Sequence, residues 1–184
     1  MRGNFDLAFR ELLVHEGGFV DHPKDPGGMT NLGVTRDTYE AWVGYPVSER
    51  IMRELTPGKV RALYKARYWD VVRGDELPAG LDLCVFDFAV NAGPARAVRY
   101  LQRLVGVRDD GIAGPKTVAA ATERAKVVDG AVMVSSYQDA RRDYHRMLPT
   151  FSTFGRGWLR RIDAVEKLAL SLQRGMPAVQ LANP

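Results

Sequence analysis

The chain has 184 residues, of which 46% are hydrophobic and 26% charged, and its net charge is +4. This composition is typical of a globular protein with enough apolar material for one domain or two small lobes. The lone cysteine, Cys84, excludes a disulfide within the chain, and no apolar stretch approaches the ~20 residues that cross a bilayer. The basic excess favours anionic partners in general but selects no class among them.

The N-terminal segment predicts an amphipathic helix. Apolar residues follow the candidate N-cap Asn4 at spacings of three and four, from Phe5 to Leu13. Glu16 continues this apolar face, and two glycines end the helix directly after it. Partial burial and the negative end of the helix dipole both disfavour a charged carboxyl there. A carboxyl that keeps its proton is what general acid catalysis needs. The alternative is an ordinary helix-end glutamate in solvent.

A loop rich in Gly, Pro and Asp follows from residue 21 to residue 28, and residues 29–34 predict a short strand in a small hairpin. Such a hairpin would hold Asp25 and Thr30 opposite Glu16 across a groove. Glycoside hydrolysis commonly uses two carboxyls, one protonated and one ionised. We expect Asp25 to be the ionised partner and the Thr30 hydroxyl to orient water. An Asx turn at Asp25 and local strand pairing at Thr30 are the alternatives.

The segment from Glu16 to Thr35 reads E-G-G-F-V-D-H-P-K-D-P-G-G-M-T-N-L-G-V-T. It closely resembles the opening signature of glycoside hydrolase family 108, whose members are N-acetylmuramidases found largely as phage and prophage endolysins. The Glu-Asp-Thr order is also similar to that of phage-type lysozymes, although four residues separate Asp25 from Thr30 where five are usual. The resemblance implies that Glu16 is the general acid, that Asp25 acts as base or stabilises charge, and that Thr30 positions water.

Two metal-site interpretations fail on spacing. His15-Glu16 begins an H-E-x-x-H pattern, but its second histidine would fall at Phe19. His22 and its acidic neighbours fit no common ligand pattern. We therefore expect no metal and no organic cofactor.

The next part of the chain predicts helices that start after the caps Thr35 and Ser48 and at Pro57. The aromatic run from Tyr64 to Trp69 resembles a feature of the same family. Tyr64 is a candidate sugar-binding residue, although aromatic residues at helical spacing more often form core.

From Pro78 onward the sequence is apolar nearly all round a helix, which predicts a buried central helix. Asp82, Asp87 and Asn91 are its polar exceptions, and each must be paired or face a cleft. The phrase F-D-F-A-V-N-A-G, residues 86–93, again resembles the family. Asn91 is a candidate groove residue, and a helix cap is the alternative.

The C-terminal half begins with a helix from Pro94, followed by V-R-D-D-G-I-A-G-P-K-T at residues 107–117. Its D-G-x-x-G-P-x-T core resembles a recurring peptidoglycan-binding motif, and in family 108 proteins a predicted peptidoglycan-binding region follows the catalytic one. Helices are expected over 129–147 and 157–174, joined by an aromatic connection. Six arginines of this region are expected to be solvated: Arg141, Arg142, Arg146, Arg156, Arg160 and Arg161.

We predict a mainly α, lysozyme-like helical fold with a small β-hairpin next to the catalytic helix. The expected organisation is a catalytic region at 4–93, a peptidoglycan-binding-like helical region packed on it at 94–175, and a flexible tail at 176–184. The resemblance implies an endolysin that lyses its host by cleaving the β-1,4 bond from N-acetylmuramic acid to N-acetylglucosamine in bacterial peptidoglycan.

The N-terminus shows no apolar signal core, so we expect synthesis in the host cytoplasm and action on the cell wall after release. A holin-type pore is what the endolysin resemblance implies for that release. We expect a monomer with no nucleic-acid partner and no stable membrane insertion.

Three other functions are open to this sequence. A lytic transglycosylase would cleave the same bond without water. A non-catalytic wall-binding or phage structural module would not need Glu16 at all. A basic nucleic-acid binder is the weakest, because no recognition helix, RNA-binding signature or zinc finger is present.

Overall fold

The computed structural model describes residues 3–21 and 28–174, and this part of the chain is mainly helical with one small hairpin, as predicted. Its elements are α1 Phe5–His15, β1 Thr30–Asn31, β2 Val34–Thr35, α2 Arg36–Val43, α3 Glu49–Arg53, α4 Pro57–Tyr64, a π-helical turn Lys65–Trp69, a 3₁₀ turn Gly74–Glu76, α5 Leu81–Ala92, α6 Pro94–Val105, α7 Pro115–Val127, α8 Gly130–Arg146 and α9 Phe151–Gln173. None of the helices among these residues combines the length and apolar character needed to cross a bilayer.

The chain divides into two compact units. A helical unit contains the described residues of 1–8 and 68–184, and a hairpin unit contains those of 9–67. The helical unit therefore includes α5 together with α6 to α9. The boundary between residues 93 and 94 drawn from the sequence stays a prediction.

Helix α5 is the core of the helical unit. Every residue from Leu81 to Ala89 is buried, because α6, α8 and α9 all pack against this helix. Phe88 lies among three tyrosine rings from α6 and α8, with centroid distances of 5.4 to 6.2 Å. The apolar pattern all round the helix thus predicted its position correctly.

The buried carboxylate of Asp87 joins α5 to α8 and α9. Arg141 places Nη2 2.7 Å from Oδ2, and Arg161 donates to Oδ1 from Nε and Nη2 at 3.0 and 2.9 Å. Burial would raise the pKa of Asp87, but the two guanidinium groups outweigh it and lower the pKa to about 2. The expectation that the arginines are solvated is wrong for Arg141, which is 0% exposed. A buried carboxylate that stays ionised, as Asp87 does, is stabilised by a cation beside it.

Asp82 is the second buried acid of α5. Its Oδ2 accepts a hydrogen bond of 2.8 Å from Asn4, and its Oδ1 accepts one of 2.8 Å from the Leu83 amide. Unlike Asp87, Asp82 forms no ion pair with an arginine or lysine of the described residues. Burial consequently raises the pKa of Asp82 to about 7.

The last two helices differ in how well the sequence predicted them. Helix α8 begins after Asp129, whose side chain caps the Ala131 amide at 2.7 Å, close to the predicted start. Helix α9 begins at Phe151, so the expected aromatic connection is wrong. The aromatic residues are helical because they interact four positions apart: Phe151 lies over Gly155, and Phe154 pairs with Trp158 at 5.8 Å.

In the hairpin unit, the predicted helix starts are confirmed. Thr35 caps α2 through the Thr38 amide at 3.2 Å, Ser48 caps α3, and Pro57 is the first residue of α4. The predicted continuous strand over 29–34 is wrong in its middle. Leu32 and Gly33 have φ angles of 50° and 73° and form a two-residue turn between β1 and β2.

Replacing Asp82 with Asn should change how stability depends on pH. The pKa of this carboxyl is about 7 in the fold against 3.8 normally, so the folded protein holds this proton more tightly than the unfolded chain. The resulting contribution to the free energy of unfolding is complete below pH 4 and is lost as the pH rises through 7. Three pKa units correspond to about 4 kcal/mol. In urea unfolding from pH 4 to pH 8, the free energy of unfolding of Asp82→Asn should rise relative to that of the wild type as the pH increases. Asp37→Asn, at an exposed position, is the control. If the free energy of unfolding depended on pH in the same way in Asp82→Asn and in the wild type, the raised pKa of Asp82 would be contradicted.

Candidate active site

Glu16 is the first residue after α1. Its amide still donates to the Leu12 carbonyl at 3.2 Å, so the last helical turn holds the backbone of Glu16 in place. Leu12 is completely buried, whereas Glu16 is half-buried and the two glycines after it are exposed. The carboxyl group therefore lies where a buried helix meets solvent, as the spacing of apolar residues predicts.

The carboxylate of Glu16 and the hydroxyl of Tyr64 meet over the bare Cα of Gly33. A Cβ atom on residue 33 would lie 2.4 Å from Glu16 Oε2 and 2.6 Å from the Tyr64 hydroxyl oxygen. These distances are far shorter than any non-bonded contact allows. Gly33 also has a φ of 73°, which disfavours other residues. Two independent constraints thus require a glycine beside this carboxylate.

Tyr64, the last residue of α4, anchors the hairpin turn. Its hydroxyl donates to the Leu32 carbonyl at 2.8 Å, and its ring packs on Phe9 with centroids 5.6 Å apart. The side chain is 1% exposed. Its role in sugar binding stays a prediction, whereas its contact with the turn beside Glu16 is a feature of the structure.

A second anchor ties β1 to α3. Asn31 is 5% exposed, and its side-chain amide donates to the Met52 carbonyl at 2.8 Å. The Arg36 amide donates to the Met29 carbonyl at 2.8 Å and closes the open end of the hairpin. The turn at residues 32 and 33 is therefore fixed from α3 as well as from α4. A rigid turn restricts the positions open to the neighbouring carboxylate.

Of the other predicted catalytic residues, the structure describes Thr30, which lies in the hairpin. Thr30 begins β1, exchanges two backbone hydrogen bonds of 2.8 Å with Val20, and donates its hydroxyl to the Gly28 carbonyl at 3.4 Å. Its role in positioning water stays a prediction. Asp25 lies outside the described residues.

Asn91 belongs to the helical unit, where it is exposed in the last turn of α5. The cap of that helix is formed by the Gly93 amide, which donates to the Ala89 carbonyl at 2.9 Å. The groove-lining role of Asn91 stays a prediction.

Other reactive side chains in the described part of the chain do not form a competing site. Cys84 is fully buried, and burial raises the pKa of its thiol well above the usual value, so it is a poor nucleophile. His15 pairs with Glu11 at 3.2 Å. Within residues 3–21 and 28–174, no group of three or more His, Cys, Asp or Glu residues is arranged to hold a metal ion.

Sequence reasoning missed the part that Gly33 plays. The signal was present, since a glycine at the second position of a two-residue connection is typical of a tight hairpin. Which side chain would lie over that glycine depends on the packing of α1 and α4. The arrangement places the Glu16 carboxyl group beside the exposed turn at Gly33, and a carboxyl group in such a position is suited to proton transfer.

The comparisons with known proteins identify the family of this chain. Residues 9–93 match the model of Glycosyl hydrolase 108, and residues 96–163 match that of the Predicted Peptidoglycan domain. The solved structure of SagA from Brucella abortus is 44% identical, with a TM-score of 0.82 over 95% of this chain and 98% of that one. The search of curated proteins found no match. The chain therefore belongs to glycoside hydrolase family 108 and is a peptidoglycan hydrolase with a C-terminal peptidoglycan domain.

Proposed function

We propose that the enzyme is an N-acetylmuramidase, a lysozyme-type glycosidase that hydrolyses the β-1,4 bond from N-acetylmuramic acid to N-acetylglucosamine. The observation that carries this proposal is the carboxylate of Glu16, held over Gly33 at the exposed end of α1. Glycosidases need one such carboxyl beside the scissile bond. Membership of the family supplies the class of substrate.

In the proposed reaction, Glu16 donates its proton to the glycosidic oxygen as the bond to the anomeric carbon breaks. The leaving N-acetylglucosamine thereby receives a neutral hydroxyl. Positive charge develops on the muramic acid ring, and a water oxygen forms the new bond to the anomeric carbon. The turn at Gly33 holds the Glu16 carboxyl group within reach of the glycosidic oxygen. Catalysis by orientation requires a catalytic group that is held in place in this way.

Asp25 and Thr30 complete the proposal from the sequence motif. Asp25 stabilises the positive charge and accepts a proton from the attacking water, and the hydroxyl of Thr30 orients that water. Attack from the face opposite Glu16 would invert the anomeric centre.

The biological role that we propose is that of an endolysin, made in the host cytoplasm and released to the cell wall through a holin-type pore. The family resemblance is the support for this role. We propose that the protein acts as a monomer, since a single chain contains the whole motif from Glu16 to Thr35.

The proposal is tested by mass spectrometry of the products released from purified peptidoglycan. Wild type should release fragments with reducing muramic acid ends, and Glu16→Gln should lower the rate about a hundredfold to ten-thousandfold because it cannot donate the proton. Glu54→Gln is the matched control, since Glu54 also directly follows a helix. Products with anhydro sugars would reassign the enzyme as a lytic transglycosylase, and no release by wild type would refute catalysis.

Gly33→Ala should abolish most activity, because its Cβ collides with Glu16 and Tyr64 and must displace the acid. Gly44→Ala is the matched control. Gly44 has a similar φ of 83°, but nothing lies within 4 Å of its Cβ position. Both variants should lose about 1 kcal/mol of stability from backbone strain. Only Gly33→Ala should lose activity, measured as the rate of peptidoglycan solubilisation. Equal losses of activity would show that strain alone matters.

Tyr64→Phe should lower the rate several-fold and stability by about 1 kcal/mol, because the Leu32 carbonyl loses its donor. Tyr39→Phe is the control, since that buried tyrosine belongs to α2 and not to the turn. Rates at saturating peptidoglycan and thermal unfolding of both variants provide the measurement. If Tyr64→Phe keeps full activity, its hydroxyl does not position the acid.

A further inference from the structure

The loop at residues 107–114 is built around one buried side chain of α6. Gln102 is 1% exposed, and its amide nitrogen donates to Asp110, to the Ile112 carbonyl and to the Thr117 hydroxyl at 2.8 to 3.1 Å. Its carbonyl oxygen accepts from the Gly111 amide at 2.9 Å. The polar side chains of the D-G-x-x-G-P-x-T motif, Asp110 and Thr117, therefore form hydrogen bonds within the loop. The motif makes a rigid loop, and other residues remain available for a ligand.

This loop and the start of α7 enclose a surface pocket of about 530 Å³ within the helical unit. Its apolar lining comes from Val107, Ile112 and Pro115, and the Ile112 side chain is 70% exposed. No aromatic residue is present among its described lining residues. A pocket that exposes aliphatic surface without an aromatic platform suits alkyl groups better than sugar rings.

Two basic side chains give the pocket its charge. Arg108 and Lys116 both line it, are exposed, and form no ion pair with a described residue. The one acid among the described lining residues, Asp110, accepts hydrogen bonds from the Ile112 amide and the Gln102 side chain, which together with the nearby charge of Arg108 lower its pKa. One acid against two bases leaves the pocket positive. It is complementary to an anionic ligand.

We propose that this pocket binds the peptide stem of peptidoglycan and not its glycan strand. The stem combines small alkyl side chains with free carboxylates, which match the aliphatic lining and the cations of Arg108 and Lys116. The proposal rests on the proposed function, in that peptidoglycan is taken as the substrate. It separates two tasks: the hairpin unit cleaves the glycan, and the pocket recognises the peptides attached to it. Because Gln102 fixes the loop, little conformational freedom is lost on binding.

The test measures retention of the full chain on purified sacculi, with Glu16→Gln as the parent so that the wall is not digested. Adding Arg108→Glu and Lys116→Glu should weaken retention about tenfold, since the charge is reversed. The matched control reverses two exposed charges at the other end of α7, Arg124→Glu and Lys126→Glu, and should bind like the parent. Equal weakening by both pairs would overturn the proposal in favour of general charge attraction.

Sacculi stripped of their stems by an amidase distinguish peptide from glycan. The parent should bind them about as weakly as the pocket variant binds intact sacculi. Undiminished binding of the parent to stripped glycan would overturn the proposal. Circular dichroism checks folding, and Ile112→Asp, at an exposed position, provides a second variant with the same expected loss.

The outcome is independent of the muramidase assay. If wild type releases no reducing muramic acid but the pocket variants lose binding, the proposed catalytic function fails and the stem site stands. If hydrolysis is intact and the pocket variants bind like the parent, the stem site alone fails.

Discussion

The helical unit depends on the neutralisation of one buried charge. Asp87 lies on α5, against which α6, α8 and α9 pack, and an isolated carboxylate there would cost several kcal/mol. Arg141 of α8 and Arg161 of α9 compensate for that cost. Because the guanidinium groups must reach a single point, they restrict how α8 and α9 rotate and slide against α5. Apolar packing alone constrains such movements less, since hydrophobic contacts are not directional.

The hairpin unit depends on residue 33 having no side chain. The turn at Gly33 approaches the end of α1 so closely that a methyl group would occupy the same space as the carboxylate of Glu16. Tyr64 and Asn31 hold that turn against α4 and α3. The proposed acid thus lies beside a turn that hydrogen bonds from two side chains hold in place. Stable elements position the reactive group, as catalysis by orientation requires.

In the motif of residues 110–117, the side chains of Asp110 and Thr117 stabilise the loop by hydrogen bonds. Asp110, Gly111 and Thr117 satisfy the hydrogen bonds of Gln102, eight or more positions earlier in the chain. The residues that remain open to solvent, Arg108 and Lys116 among them, lie beside this framework. A motif can therefore mark the position of a site although its most regular residues do not face the ligand.

The sequence alone determined the helical class, the buried position of α5, the helix caps at Thr35 and Ser48, and the placement of Glu16 at a helix end. These features depend on local spacing and on the hydrogen-bonding preferences of single residues. Tertiary structure decided which arginines neutralise Asp87 and which atoms lie over Gly33. Each of these depends on groups far apart in the chain or on packing against neighbours, and periodicity carries no information about which distant partner a side chain will meet.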